Sequence, residues 1–457
     1  MNLEVVILAA GKGTRMRSSL PKVMHSLAGR PLLAHVLEVA AELGPRAIHV
    51  VVGYQAEQVS SSFSSMPINW VTQDEQLGTG HAVLQALPDV DDDSCVLVLY
   101  GDCPLIRSST LKAMVSLAQT QAALLTADMP DPSGLGRILR DERGFITGVV
   151  EDKDANAKQK QIRETNTGVL AAPASKLKSW LPRVKADNKQ KEYYLPDIVP
   201  LALAEGSQVL SSKPEFLWEI EGVNDKIQLS YMERAYQLRF AKGLMEQGVS
   251  LADPARLDIR GKLSCGIDVF IDINAVFEGE VTIGDSVTIG PNCVIKDSHI
   301  GSGTEIKSHT VLDQTTIDGD SDIGPYARLR PGTHLAKGAK IGNFVETKKA
   351  NIGEGSKVNH LAYIGDSEIG SGANIGAGTI TCNYDGANKY STKIGDGVFV
   401  GSNSTLVAPL EIETGAFIGA GSTITKKVPA GELAVARNRQ RHISNWQKPE
   451  KKPSVKK

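Results

Sequence analysis

The feature that most constrains the fold is a repeat of aliphatic residues at about every sixth position between residues 281 and 425. The repeat comprises Ile283, Ile289, Ile295, Ile300, Ile306, Leu312, Ile317, Ile323, Leu329, Leu335, Ile341, Ile352, Val358, Ile364, Ile369, Ile375, Ile394, Val400, Leu406, Ile412, Ile418 and Ile424. This period fits neither an α-helix nor an alternating strand. It predicts a left-handed parallel β-helix with about three hexads per coil, inward anchors and glycines at the corners. A glycine-rich β-sandwich is the alternative, but sandwiches do not keep a strict period.

Composition limits the partners and the compartment. The chain has 457 residues, enough for roughly two or three domains, and its formal net charge is −2. That charge gives no reason to expect nucleic acid or a membrane as a partner. No apolar run approaches transmembrane length, and residues 5–8 predict a strand rather than a signal peptide. The five cysteines are scattered without a metal-binding spacing, which favours a cytoplasmic protein.

Strands and helices alternate in the N-terminal half. The predicted elements are the strands Val5–Leu8, Ala47–Val52 and Cys95–Tyr100 and the helices Leu32–Leu43 and Gly80–Leu87. This alternation predicts a Rossmann-like α/β domain, with a mainly parallel sheet covered by helices on both faces. Ligands of such domains bind at the carboxyl ends of the strands. The segment 9–16 and Asp102 both fall there.

The first predicted strand leads into a glycine-rich segment, Ala9-Ala10-Gly11-Lys12-Gly13-Thr14-Arg15-Met16, followed by Leu20-Pro21-Lys22. Backbone N–H groups in such a loop suit a nucleotide phosphate chain, and Arg15 and Lys22 add positive charge. The string matches neither the Rossmann fingerprint nor a P-loop. It resembles the signature of the sugar-nucleotidyltransferase family, GxGTR followed by a Pro-Lys pair.

The resemblance to sugar nucleotidyltransferases implies a UTP and sugar-phosphate site with Mg²⁺ held by Asp102 and Asn224. A carboxylate suits magnesium, although a Gly-Asp pair after a strand is often only a turn. Asn224 is also a candidate helix N-cap, and the two roles are compatible. The residues implied at the nucleotide and sugar site are Leu8, Ala9, Ala10, Gly11, Arg15, Lys22, Gln73, Gly78, Thr79, Tyr100, Gly101, Asp102, Gly136, Glu151, Asn166 and Asn224.

The hexad pattern departs from its period twice. The anchors Ile341 and Ile352 are eleven residues apart, and Ile375 and Ile394 are nineteen apart. A repeat keeps its period where it is only structural, so departures point to function. We interpret the second departure as a loop, residues 381–393, that leaves the coil.

His360 lies between the two departures. Histidine is the side chain best suited to remove a proton near neutral pH, although a lone histidine is more often structural. Arg328 and Arg330 precede it and would hold a phosphate. This combination resembles the hexapeptide-repeat acyltransferases, which use a histidine base and a coenzyme A thioester.

The two halves together resemble the bacterial family of bifunctional N-acetylglucosamine-1-phosphate uridyltransferases/glucosamine-1-phosphate acetyltransferases. The strings that carry the resemblance are LAAGKGTRM, LPKV, QLGTGHA, YGD, NTG, EGVN, RLRPG, VNHLAYIGD, GANIGAGTITCNYDG and IGAGSTI. The resemblance implies acetyl transfer from acetyl-CoA to glucosamine-1-phosphate in the C-terminal domain. It implies that the N-terminal domain then transfers uridylyl from UTP to N-acetylglucosamine-1-phosphate.

The same resemblance assigns roles in the acetyltransferase half. His360 is implied as the base, with Glu346 as a possible orienter of its imidazole. The residues implied for glucosamine-1-phosphate are Arg330, Lys348, Tyr363, Asn374 and Lys389. Those implied for acetyl-CoA are Ala377, Asn383, Tyr384, Ser402, Ala420 and Arg437.

These patterns predict three segments. Residues 1–226 form the uridylyltransferase domain, residues 227–248 a helical linker, and residues 249–457 the acetyltransferase domain with a disordered tail from Lys448. The anchors fill the coil, so the acetyl-CoA site must lie on an outer face, and a neighbouring subunit would supply its second wall. The sequence therefore predicts a homotrimer.

The sequence leaves two other hypotheses about function open. One is a single-activity sugar-1-phosphate nucleotidyltransferase with a regulatory β-helix. The other is an assembly subunit that keeps both folds and only binds partners. Both predict a C-terminal domain without a base, a sugar clamp or a projecting loop.

Overall fold

A computed structural model describes residues 2–450. The chain divides into two compact units, Met1–Phe240 and Ala241–Lys457. The division falls inside the α-helix Lys226–Glu246, which covers residues 227–246 of the predicted linker 227–248. The predicted disordered tail lies, from residue 451 onward, outside the described residues.

The first unit is built on a nine-stranded mixed sheet. Its main path runs, in spatial order, through Val209–Ser212, Ala122–Asp128, Glu164–Pro173, Cys95–Tyr100, Leu3–Leu8, Ala47–Val52 and Asn69–Thr72. Two further strands, Gly136–Arg140 and Ile146–Val150, form a hairpin beside it. Only the pairs made by Glu164–Pro173 and by this hairpin are antiparallel. The predicted α/β domain with a mainly parallel sheet is therefore confirmed.

Helices cover both faces of this sheet. They are Leu32–Ala41, Ala56–Ser61, Thr79–Ala86, Ser108–Leu117, Ala174–Trp180 and Ile198–Ala204. The central strand Leu3–Leu8 alternates its side chains between two cores. Val6 packs with the core that includes Trp180, whereas Val5 and Ile7 pack with the core that includes Val36. A strand buried on both faces reads as a continuous apolar run, which is why Val5–Leu8 was recognisable.

The second unit is a parallel β-helix made of two long sheets. One face has eleven strands: Ser250–Leu251, Phe270–Ile271, Thr288–Ile289, Glu305–Ile306, Asp322–Ile323, Lys340–Asn343, Lys357–His360, Asn374–Ile375, Phe399–Val400, Phe417–Ile418 and Leu433–Ala434. The other sheet has fifteen: Leu257–Cys265, Ala275–Ile283, Val294–Lys296, His299–Ile300, Val311–Asp313, Thr315–Ile317, Arg328–Leu329, Thr333–Leu335, Glu346–Ile352, Tyr363–Ile369, Ile380–Cys382, Thr392–Ile394, Thr405–Val407, Leu410–Ile412 and Thr423–Ile424. Ile289 pairs with Ile306, which pairs with Ile323. Three hexads per coil are therefore confirmed.

Most glycines that follow the anchors serve a different purpose from the one expected, although Gly324 has φ +93°. Gly284 and Gly290 do not have positive φ angles. A Cβ atom at Gly284 would lie 2.7 Å from the backbone nitrogen of Ser302, and one at Gly290 would lie 2.9 Å from that of Ser308. Glycine is therefore required because adjacent coils approach closely. The left-handed corners are taken by other residues, such as Asn292 and His309.

The first departure from the period is not an interruption of the coil. Thr347 takes the anchor position six residues after Ile341, is fully buried, and pairs in register with Leu329 and Ile364. Its hydroxyl lies 2.9 Å from that of Thr333, which satisfies its hydrogen bonding inside the coil. A buried threonine thus replaces an aliphatic anchor, and an apolar pattern search misses it.

The second departure is a loop, as predicted. Thr381 keeps the anchor position and is buried, and residues 384–391 are exposed. Ile375 pairs with Val400 across this insertion, so the coil closes again around it. Asp385 stabilises the loop by accepting hydrogen bonds from the backbone of Ala387 and Asn388, at 2.8 and 2.6 Å.

Candidate functional sites

A cavity of about 270 Å³ lies at the carboxyl ends of the strands Leu3–Leu8 and Cys95–Tyr100. Ten of the residues implied for the nucleotide site line it: Leu8, Ala9, Ala10, Gly11, Lys22, Gln73, Gly78, Thr79, Tyr100 and Asp102. The backbone N–H of Gly101 donates to the carbonyl of Leu8 at 3.0 Å, which joins the two strand ends. Residues far apart in sequence thus form one concave site where an α/β sheet binds ligands.

Two cationic side chains and two oxygen-bearing side chains converge beside this cavity. The Lys22 ammonium group donates to the carboxylate of Asp102 and, at 3.2 Å, to Oδ1 of Asn224. Arg15 donates to the same Asn224 oxygen at 2.9 Å. The backbone N–H of Val223 donates to the carbonyl of Asp102 at 2.9 Å, which holds the asparagine segment against the strand end.

The two predicted magnesium ligands, Asp102 and Asn224, place oxygen atoms where they suit a divalent cation. Asp102 and Asn224 direct oxygen atoms at one cationic group, the Lys22 ammonium, and hard oxygen donors are what Mg²⁺ prefers. Mg²⁺ sites next to phosphates commonly use one or two protein ligands, with the rest from phosphates and water. Among residues 2–450, no cluster of three or more His, Cys, Asp or Glu side chains forms a metal site. Phosphate and water would therefore complete the coordination.

Close approaches explain two glycines of this site. Gly13 has φ +60°, and a Cβ there would lie 2.6 Å from Cβ of Lys22. Gly78 has φ +115°, and a Cβ there would lie 2.6 Å from the carbonyl oxygen of Tyr193. Both positions combine a left-handed backbone with contact to other chain segments, so only glycine fits.

The residues implied for the sugar lie on the neighbouring strands. Gly136 pairs in register with Asn166, and a Cβ at Gly136 would lie 2.9 Å from a carboxylate oxygen of Glu151. Gly168 has φ +88° and lies against the ring of Tyr100. Burial, with the negative charges of neighbouring carboxylates, raises the pKa of Tyr100. The structure thus brings Gly136, Glu151 and Asn166 together, with Tyr100 connecting them to the nucleotide cavity.

A second cavity of about 470 Å³, lined by Glu151, Asp154, Tyr194 and Asp197 among others, adjoins this region. Burial and the charge of Asp154 raise the pKa of Asp197 to about 6. Burial and the charges of Asp197 and Asp154 also raise the pKa of Glu151. These carboxyl groups therefore hold their protons at a higher pH than free ones do.

The Asp197 shift predicts a pH dependence of stability. A carboxyl whose pKa is raised by folding is destabilising when ionised, so its contribution to the free energy of unfolding falls as pH rises from about 4 to above 6. We expect Asp197→Asn to reduce that fall, measured by urea unfolding of the full chain at pH 5 and pH 7.5. Asp93→Asn, in an exposed turn, is the control. An Asp197→Asn protein with the same pH dependence as the parent would refute this assignment.

In the second unit, His360 hydrogen-bonds to a residue that the sequence did not single out. His360 Nδ1 lies 2.6 Å from Oδ1 of Asn343, its register partner on the adjacent coil. An amide oxygen accepts only, so Nδ1 carries the proton and Nε2 is left as the basic nitrogen. The signal that identifies Asn343 is the coil repeat, since residues 17 positions apart stack on each other.

The possible role of Glu346 as the orienter of His360 is wrong. Glu346 instead forms an ion pair with Arg330 at 2.8 Å and lies 3.9 Å from Arg328. Both arginines sit on the coil below, directly under the strand Glu346–Ile352. The Glu346 carboxylate therefore positions the guanidinium groups, and Asn343 is the residue that hydrogen-bonds to His360.

Three cations of the predicted sugar-phosphate clamp lie close together. Lys348 contacts Lys389 of the projecting loop, and hydrogen bonding to this neighbour and its charge lower the pKa of Lys348. The Arg330 charge acts in the same direction. Like charges held this close in one unit are typical of an anion site, because a phosphate would relieve their repulsion.

The remaining implied residues are spread over the surface of the β-helix. Tyr363 pairs with Glu346, whereas Asn374 lies on the eleven-stranded face between Lys357 and Phe399. The side chain of Asn383 donates to Asp366, and Tyr384 lies on the exposed loop.

The residues implied for the coenzyme lie on successive coils. Asn403 donates to the carbonyl of Ala377, and Gly421 donates to that of Ser402. Arg437 donates to the carbonyl of Ala420 at 2.8 Å. Within residues 2–450, the N–H groups of Ala377, Ser402 and Ala420 have no hydrogen-bond acceptor, and no hydrogen bond or ion pair joins Asn374 or Arg437 to His360. Ala377 lies beside His360 on the adjacent coil, since the N–H of Gly378 donates to the carbonyl of His360 at 3.3 Å, whereas Arg437 lies on a later coil.

Comparison with known proteins identifies both halves. The family described as MobA-like NTP transferase domain matches residues 5–140. The family described as bacterial transferase hexapeptide (six repeats) matches residues 264–297 and 391–426.

Full-length relatives share more than half of the sequence. The bifunctional protein GlmU of Marinobacter nauticus is 56% identical over 98% of this chain and 99% of its own length. The proteins of the same name from Pseudomonas putida KT2440 and Alkalilimnicola ehrlichii are 55% and 53% identical, each over 99% of this chain and over 99% and 97% of their own lengths. The resemblance thus covers both units at once.

Proposed function

The chain belongs to the family of the bifunctional protein GlmU, and we propose that the two sites described above carry the two reactions of this family. The enzyme transfers acetyl from acetyl-CoA to glucosamine-1-phosphate. It then transfers uridylyl from UTP to N-acetylglucosamine-1-phosphate and releases pyrophosphate. We assign uridylyl transfer to residues 1–226, acetyl transfer to residues 249–457, and the connection to residues 227–248.

Acetyl transfer needs an unprotonated amine, because only the free amine attacks a thioester. In our proposal, Nε2 of His360 removes the proton, and the hydrogen bond to Asn343 keeps Nδ1 protonated and the ring in place. Arg330, Lys348 and Lys389 hold the phosphate, with Tyr363 and Asn374 on the sugar. The unpaired N–H groups of Ala377, Ser402 and Ala420 line the acetyl-CoA path, with Asn383, Tyr384 and Arg437.

Uridylyl transfer is an in-line attack of a sugar-phosphate oxygen on the α-phosphorus of UTP. Arg15 and Lys22 neutralise phosphate oxygens, and Gln73, Gly78 and Thr79 frame the base. Gly136, Glu151 and Asn166 hold the sugar. Asp102 and Asn224 would hold Mg²⁺, which would supply charge neutralisation on the phosphates when bound. Lys22, which donates to these two oxygens in the structure, would then donate to the phosphates.

The pairing of His360 with Asn343, beside the lysine and arginine cluster, carries the proposal for the second unit, because a regulatory β-helix needs neither. The test is an assay with glucosamine-1-phosphate and acetyl-CoA that follows free thiol release. The same protein is then given N-acetylglucosamine-1-phosphate, UTP and Mg²⁺, and pyrophosphate is measured. If the protein releases pyrophosphate but no thiol, it is a nucleotidyltransferase with a single activity.

We propose further that acetyl transfer requires a homotrimer. The anchors fill the coil interior, and Ile323, Ile341 and Leu406 are all fully buried, so a coenzyme must bind outside. Within residues 2–450, no hydrogen bond or ion pair joins His360 to Arg437, and a neighbouring β-helix would supply the second wall. Exposed apolar side chains that could pack against a neighbouring subunit include Phe344, Leu361 and Leu433.

This arrangement predicts complementation between subunits. His360→Ala and Arg437→Ala proteins are each expected to be inactive in acetyl transfer. After subunit exchange, a mixture should regain part of the activity, because some sites receive both intact residues. Each protein mixed with itself is the control. A fully active monomer, shown by sedimentation at the assay concentration, would refute the trimer.

We also place the enzyme in the cytoplasm. All five cysteines are free, and three of them are buried, as suits a reducing compartment. Within residues 2–450, no helix has the length and apolar content needed to cross a bilayer.

A further inference from the structure

Gln73 presents a defined hydrogen-bonding pattern to the nucleotide cavity. Its side chain is only 3% exposed, yet it lines the cavity. The amide nitrogen Nε2 donates to the carbonyl oxygen of Gly78 at 3.2 Å and lies 3.0 Å from Nδ1 of His81. These two contacts use both amide protons when Nδ1 accepts. Among the described residues, nothing hydrogen-bonds to the amide oxygen Oε1 of Gln73.

The orientation of this amide follows from its two neighbours. Turning it over would place Oε1 against the carbonyl oxygen of Gly78, with no proton between them. The Gly78 carbonyl therefore requires the nitrogen on its side, and His81 must offer an unprotonated Nδ1. The remaining proton of a neutral ring is then on Nε2 of His81.

Two further contacts hold the His81 ring. The side-chain amide of Gln85 lies 3.2 Å from Nε2, where its oxygen accepts the proton once the amide is turned that way. The ring of Tyr193 lies against the imidazole, with centroids 6.3 Å apart. His81 sits in the first turns of the helix Thr79–Ala86, so its position is tied to the backbone that carries Gly78.

We propose that His81 is a positioning residue that determines nucleotide specificity. By accepting a hydrogen bond from the amide nitrogen of Gln73, it leaves only the acceptor Oε1 of that amide for the base. Uracil carries a donor at N3, which matches an acceptor, whereas cytosine carries a lone pair at N3, which faces Oε1 unpaired. A site built to receive a substrate N–H rejects an analogue that lacks it, because a buried polar group is left without a partner. The inference rests on the proposed uridylyl transfer at this cavity.

Two substitutions separate the hydrogen bond from the packing. His81→Phe keeps a ring against Tyr193 and removes the acceptor. His81→Asn loses the ring and keeps an acceptor, because its Oδ1 takes the place of Nδ1. The full-length proteins are compared in pyrophosphate release with UTP and with CTP, and a retained kcat with UTP shows that the first unit of each variant is folded.

In His81→Phe, we expect the UTP-to-CTP ratio of kcat/KM to fall by about tenfold or more, with KM for UTP raised and kcat little changed. His81→Asn should keep the ratio within about threefold of the parent. An unchanged ratio in His81→Phe overturns the proposal, and so does an equal loss with both nucleotides, which a purely structural role would give. Failure of His81→Asn to retain the ratio also overturns it. A parent protein that does not use UTP would instead refute the uridylyl transfer on which the inference rests.

Discussion

Acetyl transfer is expected to fall by about 10²–10⁴-fold when His360 is replaced by alanine, because the change removes the proposed general base. Nε2 is the available base, since Nδ1 is hydrogen-bonded to Asn343 at 2.6 Å. His360 is exposed, so its removal leaves no cavity in the core and should not affect folding. The measurement is thiol release from acetyl-CoA with glucosamine-1-phosphate as acceptor.

Another exposed histidine of the β-helix provides a matched control. His334 hydrogen-bonds to Asp318 at 2.9 Å rather than to Asn343, and His334→Ala should leave acetyl transfer unchanged. Uridylyl transfer should be unchanged in both variants. A His360→Ala protein with more than about a tenth of the parental rate would exclude histidine as the base.

The reverse pattern is expected for Asp102→Ala. Uridylyl transfer should fall by about 10³-fold, because the change removes the carboxylate that we propose as a metal ligand, and several kcal/mol of charge stabilisation would be lost with it. It also leaves Lys22, which is only partly exposed, without its ion-pair partner. Pyrophosphate release from UTP is the measurement, and acetyl transfer should persist.

Asp128→Ala is the control for this change. Asp128 ends the strand Ala122–Asp128 and pairs with Lys213 at the surface, where an ion pair contributes about 0–1 kcal/mol. It should leave both activities intact. Raising the Mg²⁺ concentration should restore part of the activity in Asp102→Asn, which keeps one oxygen ligand. Equal loss of both activities in Asp102→Ala would show a folding defect and contradict its role at one site.

Much of the fold follows from the sequence because the two halves obey simple periods. The strand Leu3–Leu8 is buried on both faces and therefore appears as an apolar run. The inward anchors of the β-helix are buried in every coil, so their spacing survives in the sequence. Thr347 can occupy an anchor position because its hydroxyl hydrogen-bonds to that of Thr333. A search for aliphatic residues misses it because threonine is polar.

The candidate sites could be predicted only in part. Family resemblance identified Asp102, Lys22 and Asn224, and their convergence depends on strand ends that lie far apart in the chain. Asn343 could not be found this way, because its hydrogen bond to His360 depends on how the coils stack. His81 could not be found either, because its hydrogen bond to Gln73 depends on the fold of the loop between them. Sequence spacing also did not distinguish Glu346 from Asn343 as the partner of His360.

The most direct test of two independent sites on one chain mixes His360→Ala and Asp102→Ala proteins. The mixture receives glucosamine-1-phosphate, acetyl-CoA, UTP and Mg²⁺, and UDP-N-acetylglucosamine is measured. Each protein alone should form almost none. The mixture should form it readily, because the Asp102→Ala protein releases N-acetylglucosamine-1-phosphate that the His360→Ala protein then uses. Absence of UDP-N-acetylglucosamine from the mixture, with both proteins folded, would contradict the account.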